Sequence, residues 1–183
     1  MPYSTTWLLE QLTQEPRIKY LFFWGHQPSK DGVIIKSCLS QWWRADFLVA
    51  GITYRSTEHW MMAEKARLFD DEQALARILA AKSPAEAKKL GREIGRFVPE
   101  VWEAHKVEIV TTGNMHKFSQ HPELSTFLLA THDRVLVEAS PVDTIWGIGL
   151  AADAADAENP AHWLGPNLLG FILMDVRDQL RKS

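Results

Sequence analysis

The chain has 183 residues, about one domain's worth on a scale of roughly 100–200 residues per domain. Its 46% hydrophobic and 23% charged residues lie near the globular average, which excludes intrinsic disorder, collagen-like sequence and coiled coil. Lys and Arg number 20 against 23 for Asp and Glu, a formal charge of -3, so a general polyanion binder is a poor fit, whereas a local cationic pocket for one phosphate is compatible with it.

In chain order, Thr6–Glu15 reads as a short amphipathic helix with Trp7, Leu8 and Leu12 near one face and Pro16 stopping it. Strand-like runs follow at Tyr20–Trp24, Val33–Lys36 and Phe47–Tyr54, the last broken at Ala50-Gly51 in the manner of a turn. From Ser56 the pattern turns helical: Ser56 precedes Thr57–Phe69, Glu72–Ala81 comes next, and Ser83-Pro84-Ala85-Glu86 is a capping box that opens Pro84–Ile94. Pro99 and Pro122 stand where first-turn prolines belong and open Pro99–Phe118 and Pro122–Thr131. A strand at Arg134–Glu138 leads into the loop Ala139–Gly165. Pro166 then starts a last helix, with Leu169, Ile172, Leu173, Val176 and Leu180 on a 3.6-residue period. The pattern predicts a mainly α fold with a small β-sheet, in one domain.

The single cysteine, Cys38, excludes an internal disulfide framework and a Cys-based zinc cluster. The first residues lack the cationic and apolar regions of a secretory signal, and no apolar run approaches the ~20 residues of a membrane span. A soluble, cytoplasmic protein is the expectation. Eight tryptophans are many for this length, and their two readings are a Trp-rich core and a site that stacks flat heterocycles.

Two segments carry candidate chemistry. In Tyr54-Arg55-Ser56-Thr57-Glu58-His59-Trp60 a carboxylate falls in the first turn of a helix, where unpaired N–H groups and the dipole favour its ionised form. Such a group suits a base, a nucleophile or a stabiliser of positive charge, and the same placement also serves a residue that merely complements the dipole. Met61, Met62 and Lys65 share its face, with Lys65 two turns or about 10–11 Å along it. The second segment, Glu138-Ala139-Ser140-Pro141-Val142-Asp143-Thr144-Ile145-Trp146-Gly147-Ile148-Gly149, combines backbone freedom, an aromatic face and an acid. It is not a dinucleotide fingerprint, since Gly147-Ile148-Gly149 lacks the third glycine and the strand-to-helix context. The seven histidines show no metal-ligand spacing.

The strings YRSTEHWMMAEKARLF, KSPAEAKKLGREIGRF, PEVWEAHKVEIV, GNMHKF, LVEASPVDTIWGIGL and WLGPNLLGFILMDVR stand in an order and spacing that resembles the YbiA-like, or NADAR, family. The resemblance runs from about Tyr20 to the C-terminus, so residues 19–183 are expected to form the YbiA-like domain, behind an N-terminal helical extension over residues 1–18. It implies a single-domain, mainly helical fold and N-glycosidase chemistry: hydrolysis of the C1′–N bond of a ribosylated, amine-bearing base. The substrates it implies are small phosphorylated ribosides, namely phosphoribosylaminopyrimidine intermediates of riboflavin biosynthesis, or ADP-ribose linked to guanine in nucleic acid. Extended nucleic acid and membrane are not expected partners. Carried onto this chain, it makes Glu58 and Asp143 the catalytic carboxylates and Trp102, Trp146, Gly147, Lys65, Arg92 and Asn167 the substrate-binding residues. The tryptophans would stack on the base, and Arg92 or Lys65 would hold a phosphate.

Such cleavage builds positive charge on the ribose, which an anion near C1′ stabilises, so the scheme requires neither metal nor cofactor. Many relatives carry Leu/Phe-Ser-Asn-Phe near the start, whereas this chain reads Leu39-Ser40-Gln41-Trp42-Trp43, with a longer amide at Gln41. A non-catalytic module that binds ADP-ribose or a nucleotide would use the same Trp, Arg and Asn residues and leave the carboxylates idle.

Overall fold

Four helices open on a side-chain cap. Ser4, Ser56, Asp71 and Ser83 each accept the backbone N–H three residues on, which satisfies one of the orphan donors at a helix start. The resulting helices are α1 (Thr5–Gln14), α2 (Thr57–Leu68), α3 (Glu72–Ala80) and α4 (Pro84–Gly91). Pro99 and Pro122 begin α5 (Pro99–Gln120) and α6 (Pro122–Leu129), and α7 spans Leu168–Leu180. The computed structural model describes residues 2–15 and 17–182, so Pro16, the expected stop of the first helix, lies outside the described residues. These seven helices and two two-stranded sheets make the fold mainly α among the described residues, as the sequence pattern predicts.

The chain divides into two compact units: residues Gln41–Pro122, and the described residues before and after them. In the flanking unit β1 (Tyr20–Phe23) pairs in parallel with β4 (Val135–Glu138), Tyr20 opposite Val135 and Phe23 opposite Glu138. The first three residues of β4 are buried, and α7 packs against the strand so closely that a Cβ on Gly170 would lie 2.1 Å from the Leu136 carbonyl oxygen. Leu128, Leu136, Leu169, Phe171 and Ile172 form its core.

In the Gln41–Pro122 unit, β2 (Phe47–Val49) and β3 (Ile52–Tyr54) form an antiparallel hairpin through Ala50 and Gly51, both at positive φ (48° and 80°). Such a two-residue turn carries the twist of a hairpin. Phe47 stacks on Tyr54 at 5.7 Å, and Trp60 meets Tyr54 edge-on at 5.0 Å. Helix α2 is the centre of this unit and packs on α3, α4 and α5. Two glycines allow that: a Cβ on Gly91 would overlap Met62 Sδ at 2.0 Å, and one on Gly113 would meet Trp60 Cδ1 at 2.3 Å.

Two expectations are corrected. Val33–Lys36 is not a strand, and Lys36–Leu39 is a 3-10 turn. A strand exists by pairing, and Val33 uses its main chain locally: its N–H donates to Asp31 Oδ1 and its oxygen accepts from Ser29 Oγ, with the side chain 59% exposed. The last helix begins at Leu168 and not at Pro166, because Asn167 sits in the left-handed region (φ 56°) and breaks the run. Of the tryptophans, Trp43 and Trp60 belong to the core, while Trp24 is 57% exposed.

Candidate active site

The Gln41–Pro122 unit carries Glu58, Lys65, Arg92 and Trp102. Glu58 stands in the first turn of α2 and is buried, only 2% exposed. Its backbone N–H donates to the Gln41 carbonyl at 3.0 Å, and the neighbouring Thr57 hydroxyl donates to the same oxygen at 3.1 Å. The Gln41 side chain is also fixed: its Nε2 donates to Met61 Sδ at 3.5 Å, and its Oε1 accepts from Asn114 Nδ2 at 3.1 Å.

On the other side of Glu58, His59 is locked. Its Nε2 lies 3.2 Å from the Ala81 carbonyl, which can only accept, so Nε2 carries the proton and Nδ1, 2.7 Å from Ser56 Oγ, accepts the hydroxyl proton. Burial holds the imidazole below its ordinary value, the nearby Arg55 charge adds to that, and the contact with Ala81 works the other way. A neutral, doubly bonded His59 is therefore a brace for the start of α2.

Seven residues along the helix, Lys65 Nζ donates to the Gly91 carbonyl at 2.9 Å and lies 4.3 Å from the Phe97 ring centroid and 5.6 Å from that of Trp102. Burial pulls its pKa below the ordinary lysine value. Trp102 is half-buried in the first turns of α5, and its backbone N–H donates to the Val98 carbonyl at 3.1 Å. Arg92, which follows Gly91 at the end of α4, is exposed. The structure thus brings Lys65 and Trp102 together, with the Arg92 backbone adjoining the carbonyl that holds Lys65. Phe97 completes this group and escaped the sequence reading. Its only signal was the GRF at the end of a motif string, since no helical period relates residue 97 to residue 65.

The flanking unit carries Asp143, Trp146, Gly147 and Asn167. Asp143 Oδ1 accepts the backbone N–H groups of Ile145 and Trp146 at 2.9 and 2.8 Å, and its carbonyl accepts from Gly149 at 3.1 Å. That closes an Asx-type turn and sets the half-buried Trp146. Gly147 allows a close approach, since a Cβ there would lie 2.6 Å from the Glu138 carbonyl oxygen. Asn167 is fully buried and uses both ends of its amide on β4: Oδ1 accepts from Glu138 N and Nδ2 donates to Leu136 O, both at 2.9 Å. Its own N–H reaches the Gly147 carbonyl at 3.3 Å. These four residues therefore form one connected fabric around the loop after β4.

No cluster of three or more His, Cys, Asp or Glu that could hold a metal ion occurs among the described residues. No helix among them is long and apolar enough to cross a membrane.

Comparison with known proteins shows the class to which this mainly helical fold belongs. The pattern of the NADAR domain matches residues 22–181, and the chain belongs to that family. N-glycosidase R617 of Acanthamoeba polyphaga mimivirus is 43% identical over 166 residues, 88% of this chain and 96% of the relative. N-glycosidase YbiA of Escherichia coli is 35% identical over 132 residues, 72% of this chain and 74% of the relative. Its NMR structure superposes with a TM-score of 0.72 at 30% identity, over 91% of this chain and 87% of that one. A third relative, the chloroplastic riboflavin biosynthesis protein PYRR of Zea mays, is 36% identical over 135 residues, 70% of this chain but only 20% of the maize protein. With two relatives named for that activity, this protein is an enzyme of the N-glycosidase class, a hydrolase of N-glycosyl compounds.

Proposed function

We propose that the bond this enzyme hydrolyses is the C1′–N bond of a phosphorylated riboside on an amine-bearing base, with the phosphoribosylaminopyrimidines of riboflavin biosynthesis as the substrate class. The observation that carries the reading is the placement of Glu58. A carboxylate shielded from bulk water, at the positive end of a helix whose first turn is fixed by Gln41 and His59, projects its field with little screening. Loss of the base leaves oxocarbenium character at C1′, and a fixed negative charge stabilises that more in the transition state than in the neutral substrate. Water then adds to C1′, its proton passing to a carboxylate acting as base, and the departing amine takes up a proton. Trp102, beside Lys65, offers an aromatic surface for the base, and the exposed Arg92 guanidinium offers a bidentate partner for the phosphate. Asp143 is the second carboxylate of the proposal, and its bonds to Ile145 and Trp146 give it a positioning task in its own loop as well. The likeness to the maize riboflavin biosynthesis protein supports the substrate class.

The test is incubation with a phosphoribosylaminopyrimidine and measurement of free ribose 5-phosphate and free base by mass. Stoichiometric release of both is expected. Binding without release would overturn the substrate assignment in favour of another N-riboside, and turnover of ADP-ribosyl-guanine in its place would move the substrate to that class.

A further inference from the structure

A cavity of about 650 Å³ lies wholly within the flanking unit, between the N-terminal segment and the end of α7. None of the eight residues assigned above to substrate or catalysis lines it. One wall comes from residues 3–19, ahead of the family match that starts at residue 22.

Its lining is rich in cations: Arg17, Lys19, Arg134, Arg177 and Arg181. The acids on the wall are Glu15, Asp133 and Asp178, and two of them are already engaged. Arg181 Nη1 lies 3.1 Å from Asp133 and 3.5 Å from Asp178, and Asp178 also accepts the Tyr3 hydroxyl. Arg17, Lys19 and Arg134 are exposed and make no ion pair among the described residues.

Arg177 is the informative member, because it is only 2% exposed. Its Nη1 donates to Thr131 Oγ1 at 2.8 Å and to the Arg134 carbonyl at 2.9 Å, but its Nε is sealed from solvent with no hydrogen-bond partner among the described residues. No carboxylate pairs with it there either. Asp178 and Asp133 act on this guanidinium only through space and its hydrogen-bond acceptors are both neutral, so its withdrawal from water is incompletely compensated and an anion brought into the cavity would offset part of that cost. A third of the lining is apolar or aromatic. Trp7, half-buried, meets Tyr3 at 4.7 Å and Phe171 at 6.5 Å edge-to-face, and Ile18, Val135 and Met174 lie on the wall with it.

We propose that this cavity is a second ligand site, for a small phosphorylated compound carrying a planar ring, with the phosphate facing Arg134 and Arg177 and the ring against Trp7. Forked guanidiniums suit a phosphate dianion better than a lone carboxylate. The volume lies within the usual ~300–1,000 Å³ of small-ligand sites. The site stands independently of the N-glycosidase substrate.

Adenosine 5′-monophosphate, adenosine and inorganic phosphate serve as probes for the full chain, read by calorimetry and by the assigned indole N–H resonance of Trp7. The nucleotide is expected to move that resonance and to bind at least tenfold more tightly than adenosine or phosphate. Arg134→Glu or Arg17→Glu, both at exposed positions, should weaken it tenfold or more, while Trp102→Ala leaves it unchanged. An unmoved Trp7 resonance overturns the site. So does an affinity that survives both charge reversals and disappears in Trp102→Ala, since the nucleotide then sits at the candidate active site. Equal affinity for nucleotide and phosphate overturns the ring contact.

Discussion

The carbonyl oxygen of Gln41 accepts the backbone N–H of Glu58 at 3.0 Å. Gln41, a position where the family resemblance leads one to expect the shorter Asn, thus holds the helix turn that carries the candidate catalytic carboxylate through its main chain, a contact indifferent to side-chain identity. The longer amide is used elsewhere, between Met61 and Asn114. Restoring the shorter residue, Gln41→Asn, withdraws the amide from Asn114 and is expected to lower stability by about 1 kcal/mol. Turnover should change by less than about fivefold, because the carbonyl contact is kept. Urea unfolding and steady-state kinetics on one preparation check both halves, and a hundredfold loss of kcat would show that the side chain itself acts on the substrate.

Glu58→Gln removes the charge and keeps the shape. If Glu58 stabilises the ribosyl cation or its attacking water, kcat falls by 10² or more, on the order of 3 kcal/mol, with substrate affinity little changed. If it only complements the α2 dipole, about 0.3–1 kcal/mol of stability is lost and turnover survives. Single-turnover kinetics beside thermal melting separates the two, and a folded variant with near-normal turnover would remove the assignment.

Trp102→Ala should raise the substrate Kd tenfold or more, since stacking a base on an aromatic ring is worth roughly 1–3 kcal/mol. The half-buried indole also shields Lys65, whose ammonium lies 5.6 Å from the ring centroid. Its removal should let the Lys65 pKa rise back toward the ordinary value, a change that NMR titration of the lysine Nζ would read. An unchanged Kd with a normal fold would leave Trp102 a packing role only.

The protein should lose stability on mild acidification through His59. The unfolded imidazole takes up a proton near its ordinary value of 6.5, whereas the folded one, held down by burial and by the nearby Arg55 charge against the opposing contact with Ala81, resists until lower pH. Between those two values the unfolded state binds more protons, so the contribution of His59 is complete above 6.5 and declines as pH falls through the interval below it. Melting temperatures measured from pH 7.5 to pH 5 should fall less steeply in His59→Gln than in the native protein. Parallel curves would place the acid sensitivity in other groups.

Asn167→Ala strips the buried Leu136 O and the half-buried Glu138 N of their hydrogen bonds and leaves a Cβ residue at φ 56° without a side-chain tether. A loss of several kcal/mol is expected, about 1–3 for each unpaired group and about 1 for the left-handed backbone. Asn167→Asp keeps the acceptor but not the donor and should fall between the two. A denaturation midpoint close to the native value for the alanine variant would contradict this account of how α7 is set against β4.

The local chemistry of the chain determined most of its helices. Ser56, Ser83, Pro99 and Pro122 mark helix starts where the structure has them, and the Ala50-Gly51 turn is visible because only certain residues tolerate positive φ. The placement of Glu58 in a first turn was legible for the same reason, and the motif strings supplied the family. What the sequence could not supply was everything that depends on partners far along the chain. Val33–Lys36 has strand-like residues but finds no strand to pair with, and the parallel pairing of β1 with β4 joins residues more than a hundred positions apart. The contact of Phe97 with Lys65, the use of the Asn167 amide on β4 and the buried guanidinium of Arg177 have no periodic signature either. A cap or a turn is an interaction over three or four residues, and its free energy is written into their identities. A pairing or a buried charge is decided by which distant surfaces the packed helices bring together, and tertiary structure alone settles that.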